Sequence, residues 1–127
     1  MGIIGLGTDI VDIVRVANIV ERFGNKFAKR ILCDDELLHY QKHYRYPIRF
    51  LAKRFVAKEA AAKAFGTGMS NGITYKQFSI YNDRYGKPYL KYQSQVASLA
   101  EHLKLKCTHL SITDERLYAC ATVIIER

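Results

Sequence analysis

RFLAKRFVAKEAAAKAFGTG, residues 49–68, is the stretch on which the reading of this chain turns. Its first seventeen residues hold no Gly or Pro, and its alanines have the highest helix propensity of any residue. Pro47 stands just before it and Gly66 closes it, the usual start-and-stop asymmetry of a helix. At about 100° per residue, Phe50, Leu51, Phe55, Ala61, Ala62 and Phe65 share one broad side. Arg54 and Lys58 project into the middle of that side, where a plain core helix carries aliphatics. Glu59 and Lys63 stand one turn apart, at i and i+4, on a neighbouring edge. Two readings fit this pattern. In one, Glu59 and Lys63 form a surface ion pair while the other basic side chains snorkel past apolar stems. In the other, a carboxylate that holds a metal ion is flanked by Arg54, Lys58 and Lys63, which hold phosphates.

The bulk properties narrow the field. A chain of 127 residues, 49% apolar and 25% charged, has the composition of one soluble globular domain spanning residues 1–127. No run approaches the ~20 apolar residues of a membrane span, and the N-terminus shows no basic region or cleavage site of a signal peptide. Cytoplasm is the expected location. The three cysteines, Cys33, Cys107 and Cys120, form no CxxC, so reduced thiols are expected in place of a disulfide framework or a zinc site. The four histidines form no HxxxH pair. The formal net charge is +8, and residues 26–63 hold ten Lys/Arg against four Asp/Glu. Such a surface favours an anionic partner. Nucleic acid is disfavoured as that partner: there is no Cys/His finger, no aromatic RNP pattern and no Lys/Arg-rich tail.

Taken in order, residues 1–11, MGIIGLGTDIV, read as a buried strand whose Gly5 and Gly7 allow close backbone approach. Asp9 interrupts it and requires a cap, a partner or a cation. Asp12 is the expected N-cap of a helix Ile13–Phe23 closed by Gly24, with Val16, Ile19, Val20 and Phe23 inward. Arg15 and Arg22, seven apart, share a face beside that stripe. A short helical turn is expected over 25–32, then a helix over 35–43 capped by Asp34, with Asp34, Asp35 and Glu36 suiting its N-terminal dipole. Residues 45–48 read as a loop. After Gly66 the glycine-rich GTGMSNG lacks the GK[ST] ending of a P-loop. Strands over 73–81 and 89–92 form a hairpin across NDRYGKP, residues 82–88. A helix over 93–105 and two antiparallel strands, 107–113 and 117–126, complete the chain. The class is α+β, built on a mainly antiparallel sheet packed with helices.

Four stretches can now be read together: GLGTDIVDIVRV from Gly5, RFLAKRFVAKEAAAKAFGTG from Arg49, NDRYGKP from Asn82 and HLSITDE from His109. In this order they resemble the holo-acyl-carrier-protein synthases, short single-domain 4′-phosphopantetheinyl transferases, over nearly the whole chain. The resemblance implies transfer of 4′-phosphopantetheine from coenzyme A to a serine of apo-acyl carrier protein, leaving adenosine 3′,5′-bisphosphate. It implies that Asp9 and Glu59 bind Mg²⁺ and that Lys63 lies on the same phosphates. It places Arg54, Gly66, Thr67 and His109 along the coenzyme A pocket and Gly86, Lys87 and Pro88 near the nucleotide. Arg15 and Arg22 would face the acidic carrier, and the assembly would be a homotrimer with active sites between subunits. Two positions depart from the family's usual pattern: Asp114 in SITDE, where the family usually shows histidine, and Asp12, where glutamate is more usual.

The chemistry suits these roles. Mg²⁺ takes one or two carboxylates and completes its shell with phosphate and water, so two acids far apart in sequence suffice. Transfer at phosphorus needs charge neutralised at the phosphate and at the departing oxygen. The acceptor of the serine proton, a metal-coordinated water or a carboxylate, stays open. A reading from another class, a small basic RNA-binding domain, rests on charge and tyrosine content alone; magnesium-dependent coenzyme A binding separates the two.

Overall fold

The computed structural model of the protein describes residues 2–42 and 45–127. Met1 and His43, the ends of an expected strand and an expected helix, lie outside the described residues. The elements run β1 (Ile3–Asp12), α1 (Ile13–Phe23), α2 (Asn25–Ile31), α3 (Asp34–Lys42), α4 (Pro47–Phe65), a 3₁₀ turn (Tyr75–Gln77), β2 (Phe78–Asn82), β3 (Pro88–Tyr92), α5 (Ser94–His102), β4 (Cys107–Asp114) and β5 (Tyr118–Glu126). One sheet has the antiparallel order β1-β5-β4, and β2 and β3 form a separate hairpin. The expected mixture of helices and antiparallel sheet is what the chain forms.

The organising helix is α4. It starts at Pro47, two residues before the quoted stretch, because proline's fixed φ and missing N–H suit the first helical turn. Residues 47 and 48 are therefore helical, where a loop was expected. At its other end Gly66 takes a left-handed conformation, φ 79°, and caps the helix with its N–H.

The way α4 meets β1 explains GLG. A Cβ on Gly7 would stand 1.9 Å from the Ala60 carbonyl oxygen, and one on Gly5 the same distance from that of Ala64. Strand backbone thus lies directly on helix backbone, which the small side chains of Ala60 and Ala64, both buried, permit. Gly7→Ala should push the two elements apart at a point where neither can yield. We expect a destabilisation of about 3 kcal/mol, or roughly 10 °C in Tm by calorimetry. An unchanged Tm would show that β1 slides freely on α4.

Register completes the placement. Gly7 pairs with Val123, Asp9 with Ala121 and Val11 with Ala119, and Val123 and Ala121 lead on to Leu110 and Ile112. This row faces α4 and the core, which gathers Val16, Ile31, Leu51, Val56, Phe78 and Val123 among its fully buried members. The alternate row faces outward: Leu6, Ile124 and His109 in register, then Thr8, Thr122 and Ser111, then Ile10, Cys120 and Thr113. Leu6 and Ile10 on that face are more than half exposed, at 63% and 62%.

Further local expectations differ from the structure. Residues 73–77 are not strand: the chain turns at Gly72 (φ 86°) and enters the 3₁₀ turn, closed by Gln77 N–H on the Thr74 carbonyl. The last helix stops at His102, because Lys104 takes φ 57° and Leu105 N–H turns back to the Ala100 carbonyl. Asp34 is the first residue of α3 and not its cap. The first helix is as expected at both ends: Val14 N–H donates to Asp12 Oδ1 at 2.9 Å, and Gly24 N–H to the Val20 carbonyl. Phe23 is half exposed and lies under the Arg22 guanidinium, so it does not complete the inward stripe.

Candidate active site

Strand β1 delivers Asp9 on its helix-facing row, one pleat beyond Gly7, and this brings its carboxylate to the edge of α4. Lys63 answers it. Its ammonium donates to Asp9 Oδ1 at 3.1 Å and to the Thr8 carbonyl at 3.0 Å. Lys63 therefore pairs across the strand–helix contact and not with Glu59, its neighbour in sequence. Glu59, one turn earlier, takes a different partner: the Tyr75 hydroxyl donates to Glu59 Oε1. Burial first, then the hydrogen bond to Glu59, pushes the Tyr75 hydroxyl above the usual tyrosine range, with the Asp9 charge adding to the shift. Asp9, Glu59, Lys63 and Tyr75 thus form one cluster. Each carboxylate has one oxygen held by a side chain, while Asp9 Oδ2 and Glu59 Oε2 accept no hydrogen bond among the described residues. No group of three His, Cys, Asp or Glu gathers anywhere among the described residues. Two carboxylates with a free oxygen each fit an ion that takes its other ligands from phosphate and water.

Lys58 is a correction. Read as a possible phosphate ligand, it is fully buried, and its ammonium is spent on Glu36 Oε1 at 2.6 Å and the Ile31 carbonyl at 2.8 Å. Burial pushes its pKa down, and the Glu36 charge opposes that shift. Glu36 was expected to serve the N-terminal dipole of α3; instead its carboxylate is buried at the meeting of four elements. It accepts from Lys58, from Cys33 N–H at 3.0 Å and from Ile80 N–H at 2.9 Å, and stands 3.6 Å from Arg54 Nε. The signal for it was present in the sequence. Two cations on the inner side of a helix require a buried acid, and only the Asp34–Asp35–Glu36 run precedes them closely.

Arg54 lies at the centre of a second region. Its guanidinium donates to Asn82 Oδ1 at 2.8 Å and packs 4.7 Å from the Phe50 ring centre. Together with Arg45, Arg49 and Lys53 it lines a cavity of about 440 Å³, whose far wall includes Asn82, Gly86, Pro88 and Ile112. Among the described residues, four cations and no acid line it. Asp114, the departure from the family pattern, sits beside it and ties Arg49 at 2.8 Å and Lys53 at 3.4 Å. Burial raises the Asp114 carboxyl somewhat, but the bonds and charges of Arg49 and Lys53 outweigh it and hold the group below the usual carboxylate range. Gly86 (φ 86°) makes the hairpin turn, and Lys87 projects to solvent with its ammonium 5.4 Å from the Tyr89 ring centre.

The remaining candidates are not among the residues that line this cavity. The amides of Gly66, Thr67 and Gly68 are all used on the Lys63 and Ala62 carbonyls at the end of α4. His109 faces outward on β4, with Nε2 2.7 Å from Glu126 Oε2. It is therefore on the opposite side of the sheet from Asp9. The 440 Å³ cavity is likewise lined by neither Asp9, Glu59 nor Lys63. Arg15 and Arg22 are exposed on α1. Within one chain the structure joins Asp9, Glu59 and Lys63, and separately joins Arg54, Gly86 and Pro88.

Residues 5–123 match the sequence model of the 4′-phosphopantetheinyl transferase superfamily. A holo-[acyl-carrier-protein] synthase of Yersinia enterocolitica is 59% identical over 126 residues, 99% of each chain. The crystal structure of such a synthase from Neisseria meningitidis superposes with a TM-score of 0.93 at 38% identity, covering 99% of this chain and 100% of that one. That of Bacillus anthracis, in complex with CoA (3′,5′-ADP), has a TM-score of 0.79 at 30% identity over 97% of this chain and 96% of the other. With this sequence, this fold and this site, the chain belongs to the holo-[acyl-carrier-protein] synthases of the 4′-phosphopantetheinyl transferase superfamily.

Proposed function

We propose that this chain, acting as one domain over its whole length, transfers 4′-phosphopantetheine from coenzyme A to a serine hydroxyl of an apo-acyl carrier protein, leaving adenosine 3′,5′-bisphosphate. The observation that carries the reading is the Asp9–Lys63–Glu59 cluster, two carboxylates and an ammonium set by the β1–α4 crossing. Asp9 and Glu59 hold Mg²⁺, which supplies charge neutralisation at the pyrophosphate. Lys63, half exposed, holds the departing phosphate and stabilises charge that grows as the bond to it breaks. Arg54 and the basic cavity receive the nucleotide end, with Gly86, Lys87 and Pro88 beside it and Gly66 and Thr67 along the approach. A cytoplasmic location fits the three free thiols and the absence, among the described residues, of a helix long and apolar enough to cross a membrane.

A homotrimer with sites between subunits accounts for the two separate halves. The cluster at Asp9 and the cavity at Arg54, with His109 on the outer sheet face, are each incomplete in one chain. The exposed apolar row of Leu6 and Ile10 offers a face for a second copy. Light scattering should give three times the 14.6 kDa chain mass. An active monomer would overturn shared sites. The reaction is tested by incubating the protein with apo-carrier, coenzyme A and Mg²⁺ and weighing the carrier. A gain of one phosphopantetheine, stopped by a chelator, is expected; an unmodified carrier would overturn the reading.

The carrier docks on α1. Arg15 and Arg22 are exposed there, beside the half-exposed Val14 and Phe23, a small apolar contact framed by cations. Complementary charge speeds encounter and sets orientation more than it adds affinity. Reversing both arginines to glutamate should raise KM for an acidic carrier several-fold, flatten its salt dependence and leave coenzyme A binding unchanged. An unaltered carrier KM at low salt would move the docking surface elsewhere.

A further inference from the structure

Tyr75 stands outside every role given so far, although its hydroxyl touches the cluster. Its position follows from the helix. Phe55 and Glu59 are four apart on α4 and so lie one above the other on the same side. The Tyr75 side chain lies along that pair. Its ring centre is 5.7 Å from that of Phe55, and its hydroxyl donates to Glu59 Oε1. Phe55 is itself backed by Phe27 of α2, ring centres 5.4 Å apart and edge to face. The Arg30 guanidinium lies 6.0 Å from the Tyr75 ring centre. A rigid side chain with two rotatable angles is thus fixed at its base by aromatic packing, and its polar tip rests on one oxygen of a carboxylate.

We infer that Tyr75 is a positioning residue for Glu59: by holding Oε1 it fixes the carboxylate so that Oε2 is presented for a divalent cation. The inference rests on the proposed metal site and adds to it a residue that touches neither cation nor substrate. A glutamate on a helix edge otherwise samples several rotamers, and that freedom is lost on binding a cation. Holding one carboxylate oxygen removes the loss in advance, as partners behind metal ligands commonly do. Asp9 is treated in the same way, since the Lys63 ammonium, itself tied to the Thr8 carbonyl, holds its Oδ1. Both ligands are therefore oriented before the cation arrives. The 3₁₀ turn (Tyr75–Gln77), which breaks the expected strand, is the local conformation from which Tyr75 reaches α4.

Tyr75→Phe removes the hydroxyl and keeps the ring on Phe55, so the fold and Tm should hold. The test is direct metal binding. Free Mn²⁺ is measured by EPR in titrations of the whole protein, with saturating coenzyme A, for wild type, Tyr75→Phe and Glu59→Gln. Tyr75→Phe should weaken Mn²⁺ about tenfold at unchanged Tm, and raise the Mg²⁺ concentration for half-maximal rate by the same factor. Glu59→Gln should weaken it further. If Glu59→Gln loses Mn²⁺ while Tyr75→Phe binds as wild type or tighter, the inference falls and the metal site stands. If Glu59→Gln binds Mn²⁺ as wild type does, the metal site falls and the inference with it.

Discussion

Asp9→Asn and Glu59→Gln should each give a folded protein whose transfer rate drops about 10²–10³-fold at physiological Mg²⁺. The fold should survive because neither change opens a hole or orphans a buried charge. Asp9 is paired with a half-exposed Lys63, and such a pair contributes about 1 kcal/mol or less. A glutamine at 59 still accepts from the Tyr75 hydroxyl. Activity should not survive, since each amide keeps the shape and loses the charge that the proposed metal site uses to attract the cation. Lys63→Ala should differ in kind, lowering kcat more than it raises KM for coenzyme A, as expected of a contact made mainly in the transition state. Turnover close to wild type in either carboxamide variant would remove that residue from the metal site.

The largest effect on stability is expected at Glu36. Glu36→Gln leaves the fully buried Lys58 ammonium without its counter-charge, at a cost of about 3–5 kcal/mol. Lys58→Met should cost less, because Glu36 keeps two backbone N–H donors and the nearby Arg54. The sign of the pH dependence follows from burial, which pushes the Lys58 pKa down, and from loss of the Glu36 charge that opposed the shift. Folded Glu36→Gln then binds the Lys58 proton less tightly than the unfolded chain does. Its stability should rise with pH between the lowered folded pKa and the ordinary lysine value, so its deficit against wild type shrinks in alkali. Urea unfolding at several pH values measures this. Equal costs for the two variants, with no pH trend, would show that Lys58 is neutral or solvated.

What could be read from the chain by itself was whatever depends on short-range order. The helix of α4 follows from an alanine-rich run with proline before it and glycine after it. Asp12 and Gly24 bound α1 by local hydrogen bonds. The hairpin between β2 and β3 follows from a turn sequence between two strand-like runs. Asp9, Glu59 and Lys63 were legible as a group because four motifs in order carry the resemblance to a family, although spacing alone favoured a surface pair for Glu59 and Lys63.

Tertiary structure decided which charges meet. Lys58 and Lys63 belong to the same helix, yet one is sealed in the core and the other reaches the carboxylate of a strand. The difference lies in where β1 and the α2–α3 corner press against α4. Glu36 became a buried partner because Ile80 N–H and Lys58, distant from it in sequence, point at the same spot as the neighbouring Cys33 N–H. His109 was separated from Asp9 by strand register, since the period of two sends it to the outer face while Asp9 turns inward. Tyr75 reached Glu59 only because the chain turns after Gly72 instead of continuing as a strand. Propensity and caps act over about one helical turn and are written in consecutive residues. Ion pairing, register and close approach act through space between segments, and the packing of α4 against β1, with Gly5 and Gly7 in direct contact with its backbone, determines which segments come together.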